Sequence, residues 1–180
     1  MSSPRFSSFR RRSLVAALLT ALPLAGCFRP LYGPTASGEN LVDVLGAIQV
    51  EPLSVGTGLE YFAHTLRSET IFQLDGSGQP RPKRYRLSLS VGQLLQTPTV
   101  DSSTGRADSA TLTVNTAYAL EPLGGGAPIT NGVVVSYATY DRSVQRFANV
   151  RAARDAQERV ARETAVQLRT RLASYLATRS

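Results

Sequence analysis

A single cysteine follows an apolar segment near the amino terminus, and this arrangement limits which part of the chain can fold. Residues 14–25 are mostly apolar, follow four arginines with no acidic residue, and end on small residues before Cys27. A basic start, a short apolar run and small residues at its end are typical of an export signal. The run is too short to span a bilayer, which requires about 20 apolar residues. We therefore predict that residues 1–26 are a signal peptide that is removed before folding.

The residues around Cys27 indicate a lipid attachment site. Leu24, Ala25, Gly26 and Cys27 match the bacterial lipobox, in which the signal is cut before the cysteine and the thiol receives a lipid. The alternative is a free thiol in the core, where cysteine is common, but a core cysteine has no reason to end an export signal. We expect diacylglycerol and an N-acyl chain on Cys27 and no other cofactor, since more than one acyl chain anchors durably.

Removal of the signal changes the charge of the protein. The full chain has 20 basic and 13 acidic residues, a formal charge of +7, and the signal takes four arginines away. The remaining balance of about +3 gives little support to nucleic-acid binding, so no nucleic-acid partner is expected. The 154 residues left fit one domain. We predict a lipidated tether over residues 27–44 and a single domain over residues 45–180.

Two stretches with a period of two predict a sheet with one buried face. In residues 85–91, tyrosine, leucine and valine alternate with arginine and serine, and residues 110–120 alternate similarly. Apolar residues spaced by three and four predict helices instead. In chain order we predict a strand at 45–53, a helix at 59–74 with Thr57 as N-cap, strands at 85–97 with a bulge at Gly92, at 110–120 and at 132–140, and a helix at 150–179.

These elements predict an α+β fold. Each helix and the sheet have one apolar side, and they bury these sides against each other. The helix after the first strand favours a crossover and parallel pairing of the first two strands. We therefore expect a two-layer sandwich, in which two helices pack on one face of a four-stranded mixed sheet, in the order β-α-β-β-β-α.

Two sequence passages resemble one lipoprotein family. They are the run Cys-Phe-Arg-Pro-Leu-Tyr-Gly at residues 27–33 and the passage SYATYDRSVQRFANVRAARDA at residues 136–156. Together with the predicted order of elements, they are similar to LptE, the lipopolysaccharide-assembly lipoprotein, in its alphaproteobacterial form. One departure is that Phe28 follows Cys27 directly, where the family commonly has a glycine. Phe28 also differs from the aspartate that retains enterobacterial lipoproteins at the inner membrane, which favours the outer membrane.

The resemblance implies a location, partners and binding residues. LptE proteins are anchored in the inner leaflet of the outer membrane, on the periplasmic side. They plug the LptD β-barrel, assist its assembly and bind lipopolysaccharide. Arginine suits bidentate contacts with the phosphates of that lipid. The candidates by position are Arg106, Arg142 and Arg146, with Lys83 behind them, and the alternative for each is a solvated loop residue.

Catalysis has little support in the sequence. The only histidine, His64, lies within the first helical pattern, and there is no second histidine or cysteine to form a zinc site with it. We expect a protein that is not an enzyme. Two other hypotheses stay open: a periplasm-facing auxiliary lipoprotein of an ABC-type lipid-transport system, and a lipid-anchored hydrolase.

Overall fold

The computed structural model describes residues 35–36, 38–79, 81–97, 105 and 108–179. Within these residues three helices accompany a four-stranded sheet, so the predicted α+β fold with a mixed sheet is confirmed. The predicted sites Cys27 and Arg106 lie outside the described residues. The elements in chain order are α1 (Leu41–Gly46), β1 (Ile48–Val50), α2 (Glu60–Leu74), β2 (Tyr85–Gln96), β3 (Ser109–Pro122), β4 (Thr130–Asp141) and α3 (Arg146–Arg179).

The strands lie in the order β1-β2-β3-β4. The first pair is parallel, as the crossover predicted, and the other two are antiparallel. The predicted bulge at Gly92 is wrong, because Gly92 pairs directly with Asn115 and the register continues on both sides. The long strands give the sheet two ends, which we call the tip end, with Gln96 and Asp141, and the base end, with Tyr85. Along β2 these ends are roughly 36 Å apart.

One face of the sheet is buried under α2 and α3. The alternating residues of β3 from Ala110 to Leu120 are buried on this face, which confirms the predicted alternation. Near the base end, Leu87 and Leu120 pack with Leu168 and Leu172 of α3. Near the tip end, a second cluster joins α2 to the sheet and to the first half of α3. Its buried members are Phe62, Leu66, Leu112, Val114, Ala138, Ala156, Val160 and Ala161.

Polar contacts add to the packing of α3. Thr164 donates a hydrogen bond to Ser136 of β4 at 3.0 Å, and both residues are buried. Tyr61 of α2 donates to the carboxylate of Glu158 of α3. This hydrogen bond raises the pKa of Tyr61 above its ordinary value, because ionisation of the phenol would break the bond and bring two negative charges together.

The short helix α1 was not predicted from the sequence. The side chain of Asn40 caps it by accepting a hydrogen bond from the amide of Val42 at 3.0 Å. Leu41 and Leu45 are buried in the base-end core. Since α1 ends at Gly46, the following strand β1 is only three residues long, shorter than the predicted strand at 45–53.

The predicted N-cap of α2 is wrong. The helix begins at Glu60, its N-cap position is Leu59, and no side chain caps it. The chain turns before the helix, where the amide of Leu59 donates to the carbonyl of Gly56 and Gly58 has φ +91°. Thr57 therefore lies in the turn, and the carboxylate of Glu60 accepts a hydrogen bond from the amide of Gly58 instead.

Candidate lipid-binding site at the tip end

Hydrogen bonds connect the loop between β4 and α3 to the start of α3 and to the residue before β3. The amide of Ser143 donates to the side-chain oxygen of Asn149 at 2.6 Å, and the side-chain nitrogen of Asn149 donates to the carbonyl of Ser143 at 2.7 Å. The hydroxyl of Ser143 also accepts a hydrogen bond from the amide of Gln145. At the strand side, the amide of Arg142 donates to the carbonyl of Asp108 at 2.8 Å. The loop is therefore held at both of its ends.

This loop and the first turn of α3 place apolar side chains in solvent. Val144 is 74% exposed and Phe147 is 78% exposed, the two highest values among the exposed large apolar residues of the described chain. Val150, one turn further along α3, is also exposed. Single exposed apolar residues are ordinary, but several together on an ordered loop are typical of a binding surface.

Two of the predicted lipid-binding residues lie on the same loop and helix start. Arg142 precedes Val144, and Arg146 precedes Phe147, so basic and apolar side chains alternate along the chain here. Both arginines are exposed, and neither guanidinium has an ion-pair or hydrogen-bond partner within the described part of the chain. Unpaired guanidinium groups beside exposed apolar groups can bind a phosphate and an adjoining hydrocarbon chain together.

Lys83 lies at the opposite, base end and is already bonded. Its ammonium donates to the carbonyl of Gly46 at 2.7 Å and lies 3.4 Å from a carboxylate oxygen of Asp75. The loop before β2 therefore uses this cation to hold the end of α1 against the end of α2. The structure does not bring Lys83 together with Arg142 and Arg146.

Two neighbours of Lys83 have similar bonds. Arg81 pairs with Asp43 at 3.2 Å, and Arg84 pairs with Glu39 at 3.0 Å. The hydrogen bond from Arg84 to Glu39 raises the pKa of Arg84, because the carboxylate stabilises the charged guanidinium. The basic cluster at the base end thus holds α1 and the segment before it.

The described residues contain no group of three or more histidine, cysteine, aspartate or glutamate side chains that could hold a metal ion. Among the same residues, none of the helices combines the length and apolar character needed to cross a membrane. His64 is exposed and lines an open groove with Glu60 and Arg67.

Solved structures of bacterial lipoproteins are similar to this chain. A crystal structure of a candidate lipoprotein from Caulobacter crescentus CB15 has 26% identity and a TM-score of 0.61, covering 76% of this chain and 96% of its own. A crystal structure of a minor lipoprotein from Acinetobacter baumannii has 13% identity and a TM-score of 0.54, covering 74% of this chain and 94% of its own. No protein-family model and no curated protein sequence matches the chain.

These similarities concern the folded domain. Both neighbours are described as lipoproteins and are covered over nearly their whole length, so this chain has the fold of small bacterial lipoproteins. At 13% identity the second neighbour supports the fold alone.

Proposed function

We propose that this protein is an outer-membrane lipoprotein, anchored on the periplasmic side through a lipid on Cys27. In this proposal it plugs and helps to assemble the LptD β-barrel of the lipopolysaccharide translocon, and it binds lipopolysaccharide through the tip end. It acts by binding and has no catalytic activity. The lipobox, the similarity to LptE in two passages, and the fold shared with bacterial lipoproteins support this proposal.

The observation that carries the proposal is the composition of the tip end. Arg142 and Arg146 are unpaired within the described residues, and Val144 and Phe147 beside them are exposed. Lipopolysaccharide combines phosphate groups with acyl chains, so it requires cationic and apolar groups side by side.

The position of the anchor supports the same role. The chain enters the domain at the base end, where Glu39 pairs with Arg84 just before β2. The eight Cα–Cα steps from Cys27 to Thr35 can span at most about 29 Å. A lipid on Cys27 therefore keeps the base end near the membrane, and the tip end lies roughly 36 Å further along the sheet. A domain anchored in this way can project its tip into a barrel.

The face of the sheet opposite the helices suits the lumen of a barrel. Its outward residues on β2 and β3 are mostly small or polar, and they include Ser90, Asn115 and Ala117, which are exposed. The lumen of a large outer-membrane barrel is polar and wet. The small polar side chains of these two strands can pack against such a wall without burying unpaired charges.

Affinity purification of the full-length protein from detergent-solubilised outer membranes tests the proposal. We expect a large β-barrel protein and lipopolysaccharide to co-purify. The variant with both Arg142→Gln and Arg146→Gln should retain the barrel and lose most of the lipopolysaccharide.

The matched control removes the same two charges at the base end, through Arg84→Gln and Arg86→Gln, and should retain both. Co-purification of an ABC transporter without the barrel would instead favour an auxiliary role in lipid transport. Absence of a barrel protein would contradict the plug.

A further inference from the structure

Strand β4 is an edge of the sheet, and the pairing pattern shows which of its backbone groups point outward. In an antiparallel pair, residues alternate between those bonded to the partner strand and those facing away. The amide of Arg142 donates to the carbonyl of Asp108, so even-numbered residues of β4 bond to β3. The odd-numbered residues, which include Val133, Val135 and Tyr137, direct their N–H and C=O groups away from the sheet.

Two arginines of α3 donate hydrogen bonds to backbone carbonyls towards the two ends of this edge. Arg171 donates to the carbonyl of Val133 at 2.7 Å, and Arg159 donates to the carbonyl of Thr139 at 3.1 Å. Between them, the outward N–H and C=O groups of Val135 and Tyr137 have no hydrogen-bond partner within the described part of the chain. The edge therefore offers four unpaired backbone groups in a row.

A groove of about 580 Å³ lies beside this open stretch. One side is formed by β4, including Val135 and Tyr137, and the other by the flank of α3, including Arg162 and Val166. The side chains of Val133, Val135 and Tyr137 are 50%, 51% and 73% exposed on the uncovered face. Natural edge strands are usually protected by proline, lysine or a bulge. The register of β4 with β3 has no bulge from Thr130 to Asp141, and the strand contains neither proline nor lysine.

We propose that the outer edge of β4 is a strand-acceptor site, which binds an extended polypeptide segment of a partner protein. The segment binds between the two carbonyls that accept hydrogen bonds from Arg159 and Arg171. The segment lies in the groove and pairs with the backbone of Val135 and Tyr137, as in β-strand addition. Its outward side chains extend the row formed by Val133, Val135 and Tyr137.

The charges of the groove indicate an acidic side chain in this segment. Arg162 has no ion-pair partner among the residues described, whereas Arg159 pairs with Asp155. The carboxylate of Glu163, which also lines the groove, accepts a hydrogen bond from Gln167. Arg162 is therefore the cation available to a carboxylate on the bound segment.

The same charges disfavour a second copy of this chain as the occupant. Antiparallel pairing of two β4 strands would bring Arg159, Arg162 and Arg171 of both copies to one interface. Like charges brought together at a protein interface disfavour association.

A titration of the full-length protein in detergent micelles with a defined peptide tests the site. The probe is a short peptide of valine and threonine with a central glutamate, N-methylated at alternate residues so that only one edge can pair. We expect amide chemical shifts to change at Val135 and Tyr137. The variant Val135→Pro removes one outward N–H without removing a bond to β3, and it should weaken binding about tenfold. Val135→Ala is the matched control, and it should retain binding.

A second variant and a second probe distinguish a loss of binding from a folding defect. Arg162→Glu leaves the strand untouched and should weaken binding of the glutamate peptide, whereas a peptide with glutamine should bind both forms alike. A peptide N-methylated at every residue should not bind.

Absence of binding, or binding that Val135→Pro and Arg162→Glu leave unchanged, would overturn the inference. Self-association of the protein alone that Val135→Pro abolishes would also overturn it, because a second copy would then be the occupant.

Discussion

Replacing Phe147 with serine should separate lipid binding from stability. The side chain is 78% exposed, so it contributes little to the folded state, and the free energy of unfolding should change by less than about 0.5 kcal/mol. Full burial of a phenylalanine side chain is worth about 1.5–3 kcal/mol. If lipid covers the exposed part of Phe147, its loss should cost about 2 kcal/mol of binding free energy. This corresponds to about a 30-fold loss of affinity for lipopolysaccharide.

The assay is equilibrium binding of labelled lipopolysaccharide to the full-length protein in nanodiscs of neutral phospholipid. Phe72→Ser is the matched control, because Phe72 is 66% exposed on α2, close to the base end. It removes the same side chain at a distance from the tip. Equal affinities of the two variants would refute the assignment of the apolar contact to Phe147, provided that both unfold at the same denaturant concentration.

Three further predictions concern the tip end and the core. Neutralising Arg142 and Arg146 together should weaken lipopolysaccharide binding about tenfold at low salt and less at high salt, because salt screens exposed charges; a salt-independent loss would contradict a direct ionic contact. Asn149→Ala removes two hydrogen bonds to the loop and should speed amide hydrogen exchange there, with a stability loss of about 1 kcal/mol; unchanged exchange would show that these bonds do not order the loop. Leu172→Ala should lower the free energy of unfolding by about 2–5 kcal/mol, since Leu172 is fully buried, whereas Val166→Ala at an exposed position should cost less than about 0.5 kcal/mol in the same denaturant titration.

The central part of the fold followed from residue periodicity. The alternation in β3 correctly predicted which residues are buried, because one covered face imposes a period of two. In β2 only Leu87 of the alternating apolar residues is buried, and Tyr85, Leu89 and Val91 are partly buried. The sequence of α1 showed no clear periodicity, because six residues form fewer than two helical turns. A helix of this length is also not stable alone. It forms because Asn40 caps it and Leu41 and Leu45 enter the base-end core. The cap is a local contact, but the burial of Leu41 and Leu45 depends on tertiary structure and could not be predicted from local sequence.

The candidate site was predictable to a lesser degree. Arg142 and Arg146 were selected by their position after the fourth strand, and they lie together at the tip end, where their binding role stays a prediction. Lys83 has the same residue chemistry, but its partners Gly46 and Asp75 are brought to it by the parallel pairing of β1 with β2. The exposure of Phe147 was not predicted, because a phenylalanine near a helix start is equally compatible with the core.

The lipid attached to Cys27 determines where the domain works and which end is held at the membrane surface. Mass spectrometry of the intact protein purified from its native membranes tests this point most directly. We predict a chain that begins at Cys27 and carries diacylglycerol and an N-acyl group. A chain that retains residues 1–26, or that has an unmodified thiol, would contradict the proposed location and function.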